Sequence, residues 1–180
     1  MSDEVLAAWI ADEAHVRERI GAAGVVAMES ASTLSGIEVF EKMFAGELPR
    51  PSIGDTMDFV AVHVEHGKAI FQGKPSNRVL NPMGTVHGGW YATLLDSAVG
   101  CAVHSTLPAG KAYTTLELKL NIVRAISVKT PLVRAIGQVI HVGRQVATAE
   151  ARLVGHDGTL YAHATTTCLI FDIAQQKIAR

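Results

Sequence analysis

The spacing of apolar residues predicts helices in the first third of the chain. Apolar side chains recur at helical spacing between residues 3 and 20, and Gly21 follows them. A second helix is predicted to begin after Ser35, because Ser35 and Glu38 form a capping-box pattern, and to end near Gly46.

From residue 57 onward the apolar pattern changes to strands around one long apolar stretch. Strands are predicted at 58–65, 68–72, 115–123, 132–142, 145–154 and 160–171, with a loop at 74–87 and a helix at 88–107. Short turns at Gly143-Arg144 and Asp157-Gly158 make the last three strands antiparallel hairpins.

The order of these elements predicts an α+β fold in which an antiparallel sheet curls around one long central helix. The helix at 88–107 is apolar nearly all round, so we expect it to be buried nearly all round. The four strands after it are expected to form a meander, with one sheet face solvated or meeting a partner. We interpret residues 1–34 as an N-terminal helical appendage and residues 35–180 as the main domain.

Composition and charge narrow the class of protein. The 180 residues include 16 Lys and Arg and 17 Asp and Glu, a net charge of −1, which predicts no nucleic-acid partner and no membrane partner. No stretch reaches the roughly 20 apolar residues of a membrane span, and no signal peptide is visible. The 2 cysteines make neither a disulfide framework nor a zinc site, so we expect a cytoplasmic protein.

Candidate chemistry concentrates at the start of the apolar helix. The first amides of a helix have no partner within it, and Gly88 and Gly89 let a ligand approach them closely, as an oxyanion or a polarised carbonyl requires. The same glycines also suit a sharp turn into a helix. Asp96 lies among apolar neighbours in that helix, so we expect a buried carboxylate that is either satisfied structurally or kept for nucleophilic or general-base chemistry.

The spacing of Gly88 and Asp96 predicts a shared site. Eight residues of helix separate them by about 12 Å, too far for both to act on one bond within one chain. If both act together, the site combines Gly88 of one subunit with Asp96 of another, so we expect at least a homodimer.

The run N-P-x-G-x-x-H-G-G-x-x-x-x-L-x-D-x-A-x-G at 81–100 resembles the hotdog-fold thioesterases of the phenylacetate-degradation type. The strand at 115–124 and the hairpin at 143–150 resemble further parts of that family, over roughly residues 50–172. The resemblance implies hydrolysis of an aryl-acetyl or medium-chain acyl-CoA, on the hotdog fold. One departure from the family is Ala125, where many members have proline after the strand arginine.

The resemblance also implies roles for particular residues. Asp96 takes the position of the catalytic carboxylate, Gly88 the oxyanion-hole amide, and Asn81 a contact to the water or the thioester. Thr115 falls near the hydroxyl that assists the attacking water. His87 sits beside the oxyanion hole, and its alternative reading is an imidazole that only hydrogen-bonds the loop.

The substrate would bring its own phosphates, so no separate cofactor is expected beyond the coenzyme A of the acyl-CoA. Arg144, Arg124 and Gly89 are the residues we expect near it, although each arginine is also compatible with a solvated surface charge. We expect no metal, because His63 and Glu65 share a strand face while His66 turns away. The assembly is expected to be a homotetramer built as a dimer of dimers.

Two alternatives to the thioesterase stay open at this point. The first is a non-catalytic acyl-CoA-binding or sensing module on the same fold. The second is an enoyl-CoA hydratase, which needs an Asp and a His placed differently near the helix start.

Overall fold

A computed structural model describes residues 2–175. The helices along the chain are α1 (Ser2–Arg19), α2 (Met28–Thr33), α3 (Gly36–Phe44), α4 (Ile53–Met57) and α5 (Gly88–His104). The strands are β1 (Phe59–Glu65), β2 (Lys68–Gly73), β3 (Lys111–Ile122), β4 (Val133–Val142), β5 (Val146–Gly155) and β6 (Leu160–Asp172). Helices α1, α3 and α5 confirm the predicted ones, whereas α2 and α4 span only 6 and 5 residues, too few for a periodicity to be visible.

The six strands form one antiparallel sheet with the order β1-β2-β4-β5-β6-β3. The predicted hairpins β4–β5 and β5–β6 are confirmed, but the prediction that β3 begins a meander with them is wrong. Strand β3 pairs with β6 at one edge, and the β1–β2 hairpin adds to β4. The connection at 123–132 carries the chain from one edge of the sheet back to β4, which short hairpin turns cannot do.

Helix α5 lies across one face of the sheet, here called the inner face, and the sheet curls around it as predicted. Small residues line this face and let the helix come close: Ala135, Gly137, Ala147, Ala149, Ala151, Ala162 and Ala164. The approach is tightest at Gly137, where a Cβ would lie 2.3 Å from the Ala98 carbonyl oxygen. Alanine and glycine along three adjacent strands therefore allow the curvature of the sheet.

The predicted burial of α5 holds around most of the helix, with less burial along one face. Side chains such as Trp90, Leu94 and Leu95 are buried against the sheet. The opposite side, here called the open face of α5, is exposed or half-buried and carries Gly89, Thr93, Asp96, Ser97, Cys101 and His104. Small and polar residues at helical spacing within an apolar segment marked this face in the sequence.

Helix α1 packs on the outer face of the sheet through a buried polar cluster. The fully buried Gln72 donates from Nε2 to the Trp9 carbonyl, at 3.0 Å, and to the Glu13 carboxylate, at 2.6 Å. Arg134 donates to Gln72 Oε1 at 2.8 Å, pairs with Asp12 at 2.7 Å and lies 4.5 Å from the centre of the Trp9 ring. The division of the chain at residue 34 stays a prediction, although α1 is held to the strands by these contacts.

Helix α3 begins at the predicted capping box and packs on the C-terminal end of α5. Ser35 N donates to the Glu38 carboxylate at 2.7 Å, and Glu38 N donates back to Ser35 Oγ. The Gly36 amide donates to the Leu107 carbonyl at 2.9 Å, and a Cβ at Gly36 would lie 1.7 Å from the His104 carbonyl oxygen. Glycine is therefore required where α3 meets α5.

Among residues 2–175, no helix combines the length and the apolar character that crossing a bilayer requires.

Candidate active site

Asn81 organises the loop that leads into α5. Its carbonyl oxygen Oδ1 accepts from the amides of Met83, at 2.9 Å, and Thr85, at 3.1 Å, while its Nδ2 donates to Thr85 Oγ1 at 2.8 Å. Gly84 takes a φ of +80° within the same turn. The structure therefore places Asn81 in the predicted loop with its amide engaged by that loop.

His87 is the N-cap residue of α5. Its Nδ1 accepts a hydrogen bond from the Gly89 amide at 2.9 Å, and its carbonyl accepts from the Trp90 amide at 3.0 Å. The imidazole thus holds the start of the helix, which is the structural reading of His87. The Gly89 amide is therefore engaged by this ring. The Gly88 amide lies at the first position of the helix, where the helix itself provides no acceptor.

Asp96 lies on the open face of α5, opposite β3. It is half-buried, and its Oδ1 accepts a hydrogen bond from Thr115 Oγ1 at 3.2 Å. The expectation of a buried carboxylate is wrong in degree, because Asp96 is only half-buried. The structure brings together Asp96 and Thr115, two of the predicted site residues.

A β-bulge follows Thr115 directly. The pairing of β3 with β6 shifts register between Thr115 and Glu117, and Thr115 lies opposite Cys168. A bulge re-aims the side chains beside it, and bulges recur next to active sites. Nothing in the alternation of residues 115–123 indicated this bulge.

The two arginines predicted near the substrate both lie on the surface. Arg124 is exposed in the connection after β3, and Arg144 is exposed at the β4–β5 turn. That turn holds the three residues 143–145, so the prediction of a two-residue turn is wrong. A bulge between Val139 and His141 shifts the register of the hairpin before the turn.

Tyr91 fixes the connection that carries Arg124, a role that the sequence did not reveal. The buried Tyr91 hydroxyl accepts from the Ile126 amide at 2.6 Å and lies 3.3 Å from the Arg124 carbonyl oxygen. The Ile126 carbonyl in turn accepts from the Val86 amide at 3.0 Å, one residue before His87. Tyr91 therefore links the loop before α5 to the connection after β3. Burial raises the pKa of Tyr91, so its hydroxyl stays protonated.

Cys101 lies on the open face five residues beyond Asp96. Burial, together with the charge of Asp96, raises the pKa of its thiol to about 12. A thiol with that pKa is protonated at neutral pH and is a poor nucleophile. Cys101 therefore fits the role of a small packing residue and not that of a nucleophile.

Two larger apolar side chains lie near the start of α5. Trp90 is buried and donates from Nε1 to the Met57 carbonyl at 2.7 Å, whereas Met83 is exposed on the loop. The candidate metal ligands lie on β1. His63 and Glu65 share a face as predicted, with His63 Nε2 3.7 Å from Glu65 Oε2. Residues 2–175 contain no group of three or more His, Cys, Asp or Glu side chains placed to hold a metal ion.

Comparison with known proteins identifies the class. The family model described as the thioesterase superfamily matches residues 83–162. A phenylacetic acid degradation-related protein from Ralstonia eutropha JMP134 is 32% identical and superposes with a TM-score of 0.67, covering 73% of this chain and 98% of its own. The 1,4-dihydroxy-2-naphthoyl-CoA hydrolase of Listeria monocytogenes is 27% identical over 99 residues, which are 55% of this chain and 79% of that protein.

A hypothetical thioesterase of Streptococcus pneumoniae TIGR4, solved with coenzyme A, is 24% identical with a TM-score of 0.58 over 63% of this chain and 89% of its own. That likeness shows the shared fold. The chain belongs to the thioesterase superfamily and has the hotdog fold. The protein is a thioester hydrolase.

Proposed function

We propose that the protein hydrolyses acyl-CoA to a free acid and coenzyme A. The observation that carries this proposal is the Asp96 carboxylate, half-buried on α5 and hydrogen-bonded to Thr115, on the same helix whose first amide belongs to Gly88. A carboxylate and a free helix-start amide, brought together from two subunits, combine an attacking group with a donor for a developing oxyanion, which is what acyl transfer requires.

In this mechanism the thioester carbonyl oxygen accepts a hydrogen bond from the Gly88 amide. Asp96 either attacks the carbonyl carbon, forming an anhydride that water then hydrolyses, or removes a proton from an attacking water. In both routes the carbon–sulfur bond breaks, the thiolate of coenzyme A leaves and takes up a proton, and the acyl group leaves as the acid. Thr115 holds the carboxylate in position through its hydroxyl, and the His87 ring keeps the helix start in shape.

The coenzyme A portion is proposed to bind near Arg144 and Arg124, with the Gly89 backbone offering a close approach. Both arginines are exposed and keep their guanidinium groups available for phosphates. Asn81 acts on the substrate through the loop that it shapes, because its side-chain amide is already engaged there.

The proposed site is shared between two subunits. Gly88 and Asp96 lie eight residues apart on α5, about 12 Å along the helix. Edge strand β3 exposes Leu116 and Ile122, with accessibilities of 58% and 47%, and Val123 directly after the strand is 56% exposed, which favours pairing with a second copy. The assembly is proposed to be at least a homodimer and, as a dimer of dimers, a homotetramer. A cytoplasmic location agrees with the free thiols of Cys101 and Cys168.

The proposal is tested by measuring release of free coenzyme A from acetyl-, octanoyl- and phenylacetyl-CoA. Turnover of at least one ester by the wild-type protein, lost in Asp96→Asn, supports it. Tight binding of acyl-CoA without turnover would favour a non-catalytic binding module instead.

The shared site is tested by mixing two inactive variants. Asp96→Asn removes the carboxylate, and Gly88→Pro removes the amide at a helix position that tolerates proline. One site of a mixed dimer then holds both intact parts, so activity should return on mixing. No recovery after demonstrated subunit exchange, or a monomer by sedimentation, would contradict the shared site.

A further inference from the structure

A cavity of about 290 Å³ lies against the C-terminal half of the open face of α5. Helix α3 forms one wall, β1 and the start of β3 form others, and the segment before α3 closes it. Val39, Phe40, Met43, Phe59, Cys101 and His104 are among the residues that line it. Its volume is close to the lower end of the roughly 300–1,000 Å³ found for small-molecule pockets. This space is called the α3 cavity below.

The α3 cavity adjoins the proposed site of bond breakage. Ser97, which lines the cavity, follows Asp96 directly on α5. Tyr113, another lining residue, precedes Thr115 by two positions on β3, and residues two apart on a strand point to the same side. A substrate group that occupies the cavity therefore extends away from the Asp96–Thr115 pair.

The walls of the α3 cavity suit a neutral apolar group. The cations among the lining residues are already paired, Arg50 with Asp55 and Lys111 with Asp172. The Ser97 hydroxyl donates to the Thr93 carbonyl at 2.8 Å, which satisfies it within the helix. A carboxylate inside would thus find no free positive partner among these groups.

His104 marks the far end of the α3 cavity. Its ring lies edge-on to Phe40 and Tyr113, with centroid distances of 5.5 and 5.7 Å. Burial lowers the pKa of His104, so the ring is uncharged at neutral pH. The negative end of the α5 dipole at this end also disfavours an anion.

The length of the α3 cavity sets the size of the group. Ser97 and His104 are seven residues apart, about 10 Å along the helix. An extended chain advances about 1.2 Å per bond, since the three bonds of one residue span about 3.6 Å. The cavity therefore accommodates about eight bonds of an extended chain.

We propose that the α3 cavity receives the acyl group of the substrate, a neutral aliphatic chain of about eight carbons. This inference rests on the proposed hydrolysis of acyl-CoA and adds its acyl specificity. It also gives the N-terminal segment a function, because Ile20, Val26 and Ala31 close the cavity and limit the length of the chain.

The experiment measures kcat/KM for a series of saturated acyl-CoA esters from butyryl to hexadecanoyl. Each buried methylene contributes about a fourfold gain, so kcat/KM should rise steeply from butyryl to octanoyl and then stop rising. Ala31→Trp fills the cavity and should lower the octanoyl-to-butyryl ratio at least tenfold, whereas Met43→Ala should move the optimum to longer chains.

Ala27→Trp is the matched control, because Ala27 is exposed just before α2 and does not line the cavity. It should leave the octanoyl-to-butyryl ratio unchanged, and melting temperatures check that each variant folds. Calorimetry on Asp96→Asn with octanoyl-CoA and acetyl-CoA measures binding of the chain apart from turnover.

The outcomes separate this inference from the proposed function. Tight octanoyl-CoA binding by Asp96→Asn, without turnover by the wild type, would support the cavity and contradict the hydrolysis. Turnover that does not depend on chain length, or a ratio that both tryptophan variants change equally, would overturn the assignment of the cavity. Equal binding of octanoyl- and acetyl-CoA would overturn it as well.

Discussion

The open face of α5 has two halves with different chemistry. The first half, from Gly88 to Asp96, carries the helix-start amide, the His87 cap and the carboxylate paired with Thr115. The second half, from Ser97 to His104, faces the apolar α3 cavity. Unsatisfied amides exist only in the first turn of a helix, so the proposed oxyanion stabilisation is confined to that end, while the proposed acyl pocket lies at the far end.

The largest effect is expected from removing the charge in the first half. Asp96→Asn keeps the shape of the side chain but loses the carboxylate, so kcat should fall at least about a hundredfold, the scale of acid–base assistance. Steady-state kinetics on the best substrate measure this loss, and calorimetry should show acyl-CoA still bound. Near-normal turnover would remove Asp96 from the mechanism.

Gly36→Ala tests the contact between α3 and the second half of the open face of α5. The added Cβ meets the His104 carbonyl oxygen at 1.7 Å, so helix α3 must move, and the free energy of unfolding should drop by about 3 kcal/mol. Urea denaturation measures the change. Gly84→Ala is a useful contrast, since no atom lies within 4 Å of its added Cβ and only the φ of +80° is strained. Equal losses in the two variants would contradict the tight contact.

Thr115→Val tests the partner of the carboxylate. Loss of a hydrogen bond to a charged group should lower kcat about thirtyfold. Thr115→Ser should restore most of the rate because it returns the hydroxyl. Thr114→Val, at the exposed neighbouring position, is the matched control and should leave kcat unchanged. If both valine variants lost rate equally, the effect would come from β3 and not from the hydrogen bond.

The smallest effect is expected at Arg144, outside both halves. Contacts to phosphates remote from the bond broken contribute uniform binding, so Arg144→Ala should raise KM for acyl-CoA about tenfold with little change in kcat. High salt should shrink the difference, because the residue is exposed. An N-acetylcysteamine thioester lacks the nucleotide and should show no effect. An equal loss of activity on both substrates would mean that Arg144 supports the fold instead.

Much of this molecule is determined by local sequence. The alternation of strands, the capping box at Ser35 and the loop-to-helix motif at Asn81–Gly89 each depend on neighbours a few residues apart, and the structure has all three. Asp96 and Thr115 were each selected from the sequence, and they meet through a 3.2 Å hydrogen bond.

Tertiary structure decided what depends on residues far apart in the chain. The placement of β3 beside β6, the bulge after Thr115 and the open face of α5 follow from how the sheet closes around the helix. The α3 cavity is likewise built from parts of the chain that are far apart in the sequence, and no periodicity within one segment can indicate a space between segments. The sequence by itself determined the strands and the longer helices and nominated the candidate site residues, because these depend on local hydrogen bonding and side-chain chemistry. Only the tertiary structure decided how the strands pair and where the α3 cavity lies, because both depend on packing between residues far apart in the chain.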